Sequence, residues 1–312
     1  MFKIVLFFIA LGGTYLMFMY FLSNKFVDET YPKLTQEAGG LILGLSRANY
    51  GISPEILEEE LEPFNFKTPL INFAIDHELS PYGDVYLNSI KQKIKSNSTA
   101  HGLFILSVTP GSFTVLKNLA DDAILEFDGE KVLGKLYNFT QSPNYDYIRN
   151  CYPLSLYNAI YPTNKWQHLE VHSNGWNEMK LKTATETVST DDLKFWKEQS
   201  FLYYEKSLKS ERKSMKRIRS FVETIAFLKE KGQVFIVRLP MDDDILLLEN
   251  KTWTNFNHVM DSIAKKEQVG YFDYTQKDLD FTTFDGSHLE SFSAQNFTKL
   301  LSHDIKNYIK NE

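Results

Sequence analysis

Five short apolar runs, separated by longer amphipathic stretches, limit this chain more than any other feature. They are Gly40 to Leu45, Pro69 to Ile75, Gly102 to Val108, Gln233 to Leu239 and Val269 to Tyr274. None alternates apolar with polar residues, so each reads as a strand covered on both faces. Helical patterns lie between and after them, at Pro54 to Leu61, Asp84 to Lys95, Thr190 to Lys231, Thr254 to Lys266 and Ser293 to Lys310. Ser53 before Pro54 is a helix start, with a capping hydroxyl and proline at the first helical position. Strands that alternate with helices require right-handed crossovers, hence a mostly parallel sheet with helices on both faces.

Two segments depart from this rhythm. Ile4 to Leu22 carries no charge over a length close to the ~20 residues a membrane-crossing helix needs. It reads as a membrane anchor over residues 1–25 with a cytoplasmic start. The rest of the chain is then expected on the extracytoplasmic side, as in a single-pass protein. A cleavable signal peptide is the nearest alternative, but no Ala-x-Ala-like site follows Leu22. Residues 26–39 are polar and read as a linker to a domain over 40–312. Inside that domain, about 111–189 is rich in Tyr, Asn, Pro and Trp and shows little helical period, so it reads as an insertion after the third strand. Turns are expected at Asp128-Gly129 and Asn174-Gly175. The dense charge of the Thr190 to Lys231 stretch reads as a solvated helix face.

A net charge of −6 provides no basic field for nucleic acid. The single cysteine, Cys151, excludes an internal disulfide, a Cys-rich zinc site and an iron–sulfur cluster. His77, His101, His168, His172, His258 and His303 form no metal-ligand spacing, so neither a metal nor a cofactor is expected.

In open parallel sheets, ligands bind beyond the carboxyl ends of the strands. Ser46 follows the first strand there, just before a helix. Asp285 and His288 sit together in one loop after the fifth strand. A serine nucleophile needs a base for its proton, and the imidazole needs a carboxylate to hold its tautomer. Taken singly, a serine in a turn is ordinary loop chemistry, and Asp-x-x-His is an ordinary helix cap. Together, at the two ends of one inferred sheet, they form a catalytic set.

This arrangement of Ser46 after the first strand and Asp285-x-x-His288 near the end resembles the SGNH/GDSL hydrolase superfamily, over essentially the whole of Gly40 to Lys310. Gly44-x-Ser46-Arg47 behind an apolar amino terminus is most similar to its membrane-anchored group, which includes cell-envelope O-acyl-transfer proteins. The resemblance implies an α/β flavodoxin-like three-layer sandwich. The expected sheet has five parallel strands in the order 2-1-3-4-5, with Ser46 at the carboxyl edge of the central strand. Ser46 would be the nucleophile, His288 the base and Asp285 the acid. The amides of Ser46 and Gly83 would stabilise the oxyanion, although Leu45 replaces the signature Asp and no Gly-x-Asn follows the third strand. The implied substrate is an acylated carbohydrate or other cell-envelope ester, hydrolysed or used for O-acyl transfer, with a membrane acyl-export protein as partner.

Arg238, at the end of the fourth strand, could bind an anionic substrate group, or pair with one of Asp242, Asp243 and Asp244. That triplet itself reads as a solvated turn. A non-catalytic carbohydrate-binding or scaffold module on the same fold is the competing reading, motivated by Trp166, Trp176 and the tyrosines of the insertion.

Overall fold

The computed structural model describes residues 2–24, 28–76, 82–94, 101–150, 168–275 and 279–311. Cys151, His77 and Trp166 lie outside them. Strands β1 (Gly40–Leu43), β2 (Leu70–Asn72) and β3 (Gly102–Ser107) precede the insertion. The insertion and the region after it add β4 (Thr114–Leu116), β5 (Leu169–Val171), β6 (Asn177–Met179) and β7 (Glu211–Lys213). The sheet is completed by β8 (Gly232–Arg238) and β9 (Gly270–Asp273). Its order is β2-β1-β3-β8-β9 and every pairing in it is parallel. Counted among themselves, the five strands run 2-1-3-4-5.

Alternation along each strand sends neighbouring residues to opposite faces. Leu41, Leu43, Phe104, Leu106, Val234 and Ile236 join one core cluster. There they meet Tyr86 and Ile90 of α4 (Asp84–Lys93), Phe221 and Ile225 of α7 (Met215–Lys229), and Phe256 and Met260 of α9 (Phe256–Glu267). Ile42, Leu103, Ile105, Phe235 and Val237 join the other cluster. Their partners are Ala48 of α2 (Ser46–Gly51), Leu57 of α3 (Pro54–Glu60), and Phe297, Leu301 and Ile305 of α10 (Ser291–Asn311). Each such side chain contributes about 1.5–3 kcal/mol by leaving water, and because both faces need cover, the result is the three-layer α/β sandwich.

The amino-terminal apolar segment forms α1 (Phe2–Asn24). Among the described residues, however, no helix is long and apolar enough to cross a membrane. The single-pass localisation expected from the sequence is corrected accordingly. Residues 31–34, placed by the sequence in a linker, are built into the domain. Tyr31, Pro32, Lys33 and Leu34 are buried, and Lys33 Nζ donates to Asn49 Oδ1 at 2.7 Å and to the Asn72 carbonyl at 2.9 Å.

The charged stretch expected as one helical run is divided. α6 (Thr190–Ser210) ends at β7, which pairs antiparallel with β4. Ser214 then caps α7, its hydroxyl accepting from the Arg217 amide. The Asp242 to Asp244 triplet is a helix start and not a turn: Asp242 is the N-cap of α8 (Asp243–Thr252), with Asp243 and Asp244 in its first turn, where the helix dipole favours carboxylates.

Candidate active site

Ser46 is placed by a sharp change of direction after β1. Gly44 has φ +131°, and a Cβ there would lie 2.7 Å from Ser107 Cβ, so only glycine lets the chain leave the sheet at this point. Leu45 returns to extended geometry, and Ser46 becomes the first residue of α2. Asn72 of β2 anchors that helix. Its Nδ2 donates to the Ala48 and Ile52 carbonyls at 2.8 and 2.9 Å, and its Oδ1 accepts from the Ala74 amide.

The loop after β9 delivers the other two groups. Ser46 Oγ lies 2.8 Å from His288 Nε2, and His288 Nδ1 lies 2.7 Å from Asp285 Oδ2. With Nδ1 donating to the carboxylate, Nε2 is left to accept the serine proton. The amides of Ser287 and His288 both donate to Asp285 Oδ1. Gly286, at φ +82°, permits the tight curl that brings them round. Burial opposes ionisation of Asp285, but the His288 ring and these amides outweigh it and hold the carboxyl below its ordinary range. The imidazole is gripped by Phe284, stacked at 5.5 Å between centroids, and Tyr50, edge-on at 5.2 Å. Asp285 and His288 are 13% and 16% exposed, so the pair is shielded from solvent yet reachable.

A buried charge network missed by the sequence reading ties these parts together. Arg47, next to Ser46, donates from Nε to Ser287 Oγ at 3.0 Å and from Nη2 to Tyr204 OH at 2.9 Å. Tyr204 OH and Ser287 Oγ are themselves 2.7 Å apart. Arg47 Nη1 lies 2.8 Å from Glu249 Oε1, while Glu249 Oε2 takes Arg238 at 2.8 Å. The helix bearing Ser46 is thereby joined to the loop bearing Asp285 and His288. Arg47 and Ser287 were visible as neighbours of the site residues, but nothing along the chain connects them to Glu249 or Tyr204.

Two expected site residues lie elsewhere. Arg238 is 1% exposed, paired with Glu249, bonded to Asn257 and stacked over Phe256 at 4.9 Å, so its guanidinium is committed to the interior and does not serve as a substrate contact. Gly83 begins α4 against the buried Arg217–Asp128 ion pair, and a Cβ there would strike Arg217. It does not line the cavity that opens beside Ser46.

The expectation of no metal rested on spacing along the chain. Among the described residues the β5–β6 hairpin does gather Glu170, His172 and Glu178, with ligand-type atoms within 4.8 Å of one another. The Lys180 ammonium is paired there with both carboxylates, and supplies a positive charge within the cluster. Burial raises the Glu178 carboxyl, but His172, Ser291 and Lys180 more than reverse this and bring it to about 2 from an ordinary 4.5. A carboxyl depressed on folding stabilises above its unfolded value and loses that contribution as the pH falls through its folded one. Glu178→Gln is therefore expected to destabilise the protein near neutrality. The difference from wild type should shrink between about pH 4.5 and 2. Urea denaturation at several pH values measures it, and a difference independent of pH would refute it.

The fold and the constellation together define a class: a parallel α/β sandwich with a Ser–His–Asp set at the carboxyl edge of its sheet, beyond β1. No protein-family model and no curated protein matches the chain. Among solved structures it is similar to the native aryl esterase of M. smegmatis, at 9% identity and a TM-score of 0.39, over 86% of this chain and 99% of that one. The inhibitor-bound form of the same enzyme covers the same shares at 9% identity and a TM-score of 0.36. Similarity this low leaves the function to the geometry of the site.

Proposed function

We propose that this protein is a serine ester hydrolase or O-acyltransferase acting on acyl esters of carbohydrate hydroxyl groups. The observation that carries the chemistry is the aligned chain of Ser46, His288 and Asp285 at 2.8 and 2.7 Å. Ser46 Oγ attacks the ester carbonyl carbon while its proton passes to His288 Nε2. The tetrahedral adduct collapses, the bond to the alcohol oxygen breaks, and His288 returns the proton to that oxygen. Water then attacks the acyl-Ser46, or an acceptor hydroxyl does, and the same histidine serves as base. The Ser46 amide, at the first turn of α2, is the oxyanion donor that belongs to this reading.

The carbohydrate part rests on the resemblance to the SGNH/GDSL hydrolases. The competing binding module loses one of its motives: Trp176 is 3% exposed and donates its indole N–H to the Tyr50 carbonyl, so it braces the site and offers no stacking face.

A fluorophosphonate probe applied to the full chain tests the reading. Labelling at Ser46 is expected, and Ser46→Ala should abolish it without changing stability by more than ~0.5 kcal/mol. Asp285→Asn should slow labelling by up to about 10⁴-fold, because it disturbs the tautomer while keeping the shape. Folded protein that does not label at Ser46 would end the hydrolase reading.

A further inference from the structure

The space next to the nucleophile carries a statement about the acyl group. A cavity of about 50 Å³, open to the centre of a water-sized sphere, adjoins Ser46. A site needs roughly 10–15 Å³ in this measure to admit one water, so it has room for about three or four carbon-sized groups. Its walls come from several parts of the fold and include the charged side chains of Arg47, Glu211 and Glu249. Leu45 flanks the nucleophile, Thr109 and Pro110 belong to the turn after β3, Tyr203 and Ser207 come from α6, and Thr252 ends α8.

The floor is unyielding. Leu45 and Thr109 are each 7% exposed, and the turn from Thr109 to Ser112 is closed by a reciprocal capping box that includes the Thr109 amide donating to Ser112 Oγ at 3.1 Å. The opposite wall differs, because α6 contributes no buried residue and Tyr203 stands 44% exposed at the rim. A group entering from Ser46 therefore meets a fixed floor, Tyr204 held by Arg47 and Ser287, and the more exposed Tyr203 at the rim.

We propose that this cavity is the acyl subsite, that it admits acetyl to butyryl groups and excludes medium chains, and that Tyr203 sets the limit. The proposal rests on the hydrolase reading above, since the acyl group considered is the one bonded to Ser46 Oγ. The alcohol part of the ester leaves on the other side of the carbonyl and is not constrained by this space. Each methylene beyond the space available costs about tenfold or more in kcat/KM, so four carbons beyond butyryl amount to a near-complete block.

The test uses the full chain and p-nitrophenyl acetate, butyrate and octanoate, with fluorophosphonate labelling of Ser46 run in parallel. Wild type should turn over acetate and butyrate, with kcat/KM for octanoate lower by about 10⁴-fold. Tyr203→Ala should raise the octanoate-to-acetate ratio at least about tenfold by removing the rim. Ser207→Phe, which adds volume from the same helix, should depress butyrate relative to acetate. Octanoate turned over as well as acetate by protein that labels at Ser46 would overturn the subsite and leave the hydrolase intact. The same conclusion would follow if both variants kept the wild-type chain-length profile. Failure of Ser46 to label would overturn the hydrolase reading, and the subsite with it.

Discussion

Ser46→Ala and His288→Ala are each expected to lower ester turnover by at least about 10³-fold, and the double replacement to cost little more than either alone. The reason is geometric. One proton moves along one line, from Ser46 Oγ to His288 Nε2 over 2.8 Å, with Asp285 holding the far ring nitrogen at 2.7 Å. Removing the hydroxyl leaves the base nothing to deprotonate; removing the ring leaves the hydroxyl without a base at its ordinary, weakly acidic state. Once either member is gone, the other has no further contribution to lose. Steady-state kinetics on a p-nitrophenyl ester with the two single variants and the double variant measures this directly. Multiplying, independent losses would show that the two residues do not act as a unit. Turnover that survives Ser46→Ala would assign the activity to another site.

The largest effect on stability is expected at Glu249. Its carboxylate is 3% exposed and lies between Arg47 and Arg238, 2.8 Å from each. Glu249→Ala would leave two guanidinium groups, 2% and 1% exposed, without their shared counter-charge. Breaking a buried pair in this way costs about 3–5 kcal/mol, because the orphaned charge retains its desolvation penalty. Glu249→Gln keeps the shape and an acceptor oxygen but removes the charge, so it should fall between wild type and the alanine variant. Urea denaturation at neutral pH gives both values. A loss below about 1 kcal/mol for the alanine variant would mean that the arginines find other acceptors. Because Arg47 also holds Ser287 in the loop that carries Asp285 and His288, the folded fraction of either variant should label with fluorophosphonate more slowly than wild type.

Much of the fold was legible because strands buried on both faces leave no choice of residue: β1, β3 and β8 are nearly all apolar, and helices of mixed character must then cover the sheet. The meeting of Ser46, His288 and Asp285 was legible for a related reason. The carboxyl edge of a parallel sheet collects whatever follows each strand, and Ser46, Asp285 and His288 follow the first and the last. The short β4–β7 pairing was not legible, since three charged residues in a row, Glu211 to Lys213, carry no strand period and pair only because the insertion brings Thr114 to Leu116 alongside. Arg238 illustrates the same limit. The chain places it at the right edge of the sheet, but only the packing of α8 decides that Glu249 claims it first.

By itself the sequence determined the layers, the parallel sheet and three groups able to pass a proton, because these follow from periodicity and from which side chains can donate or accept one. Tertiary structure alone decided which charges neutralise one another in the interior, how the helix of Ser46 is fastened to the loop of His288, and how much room is left beside Ser46. Those are properties of distance between residues as far apart in the chain as Arg47 and Ser287. Coulombic attraction, desolvation and packing act on separation in space, and no spacing along the chain encodes it.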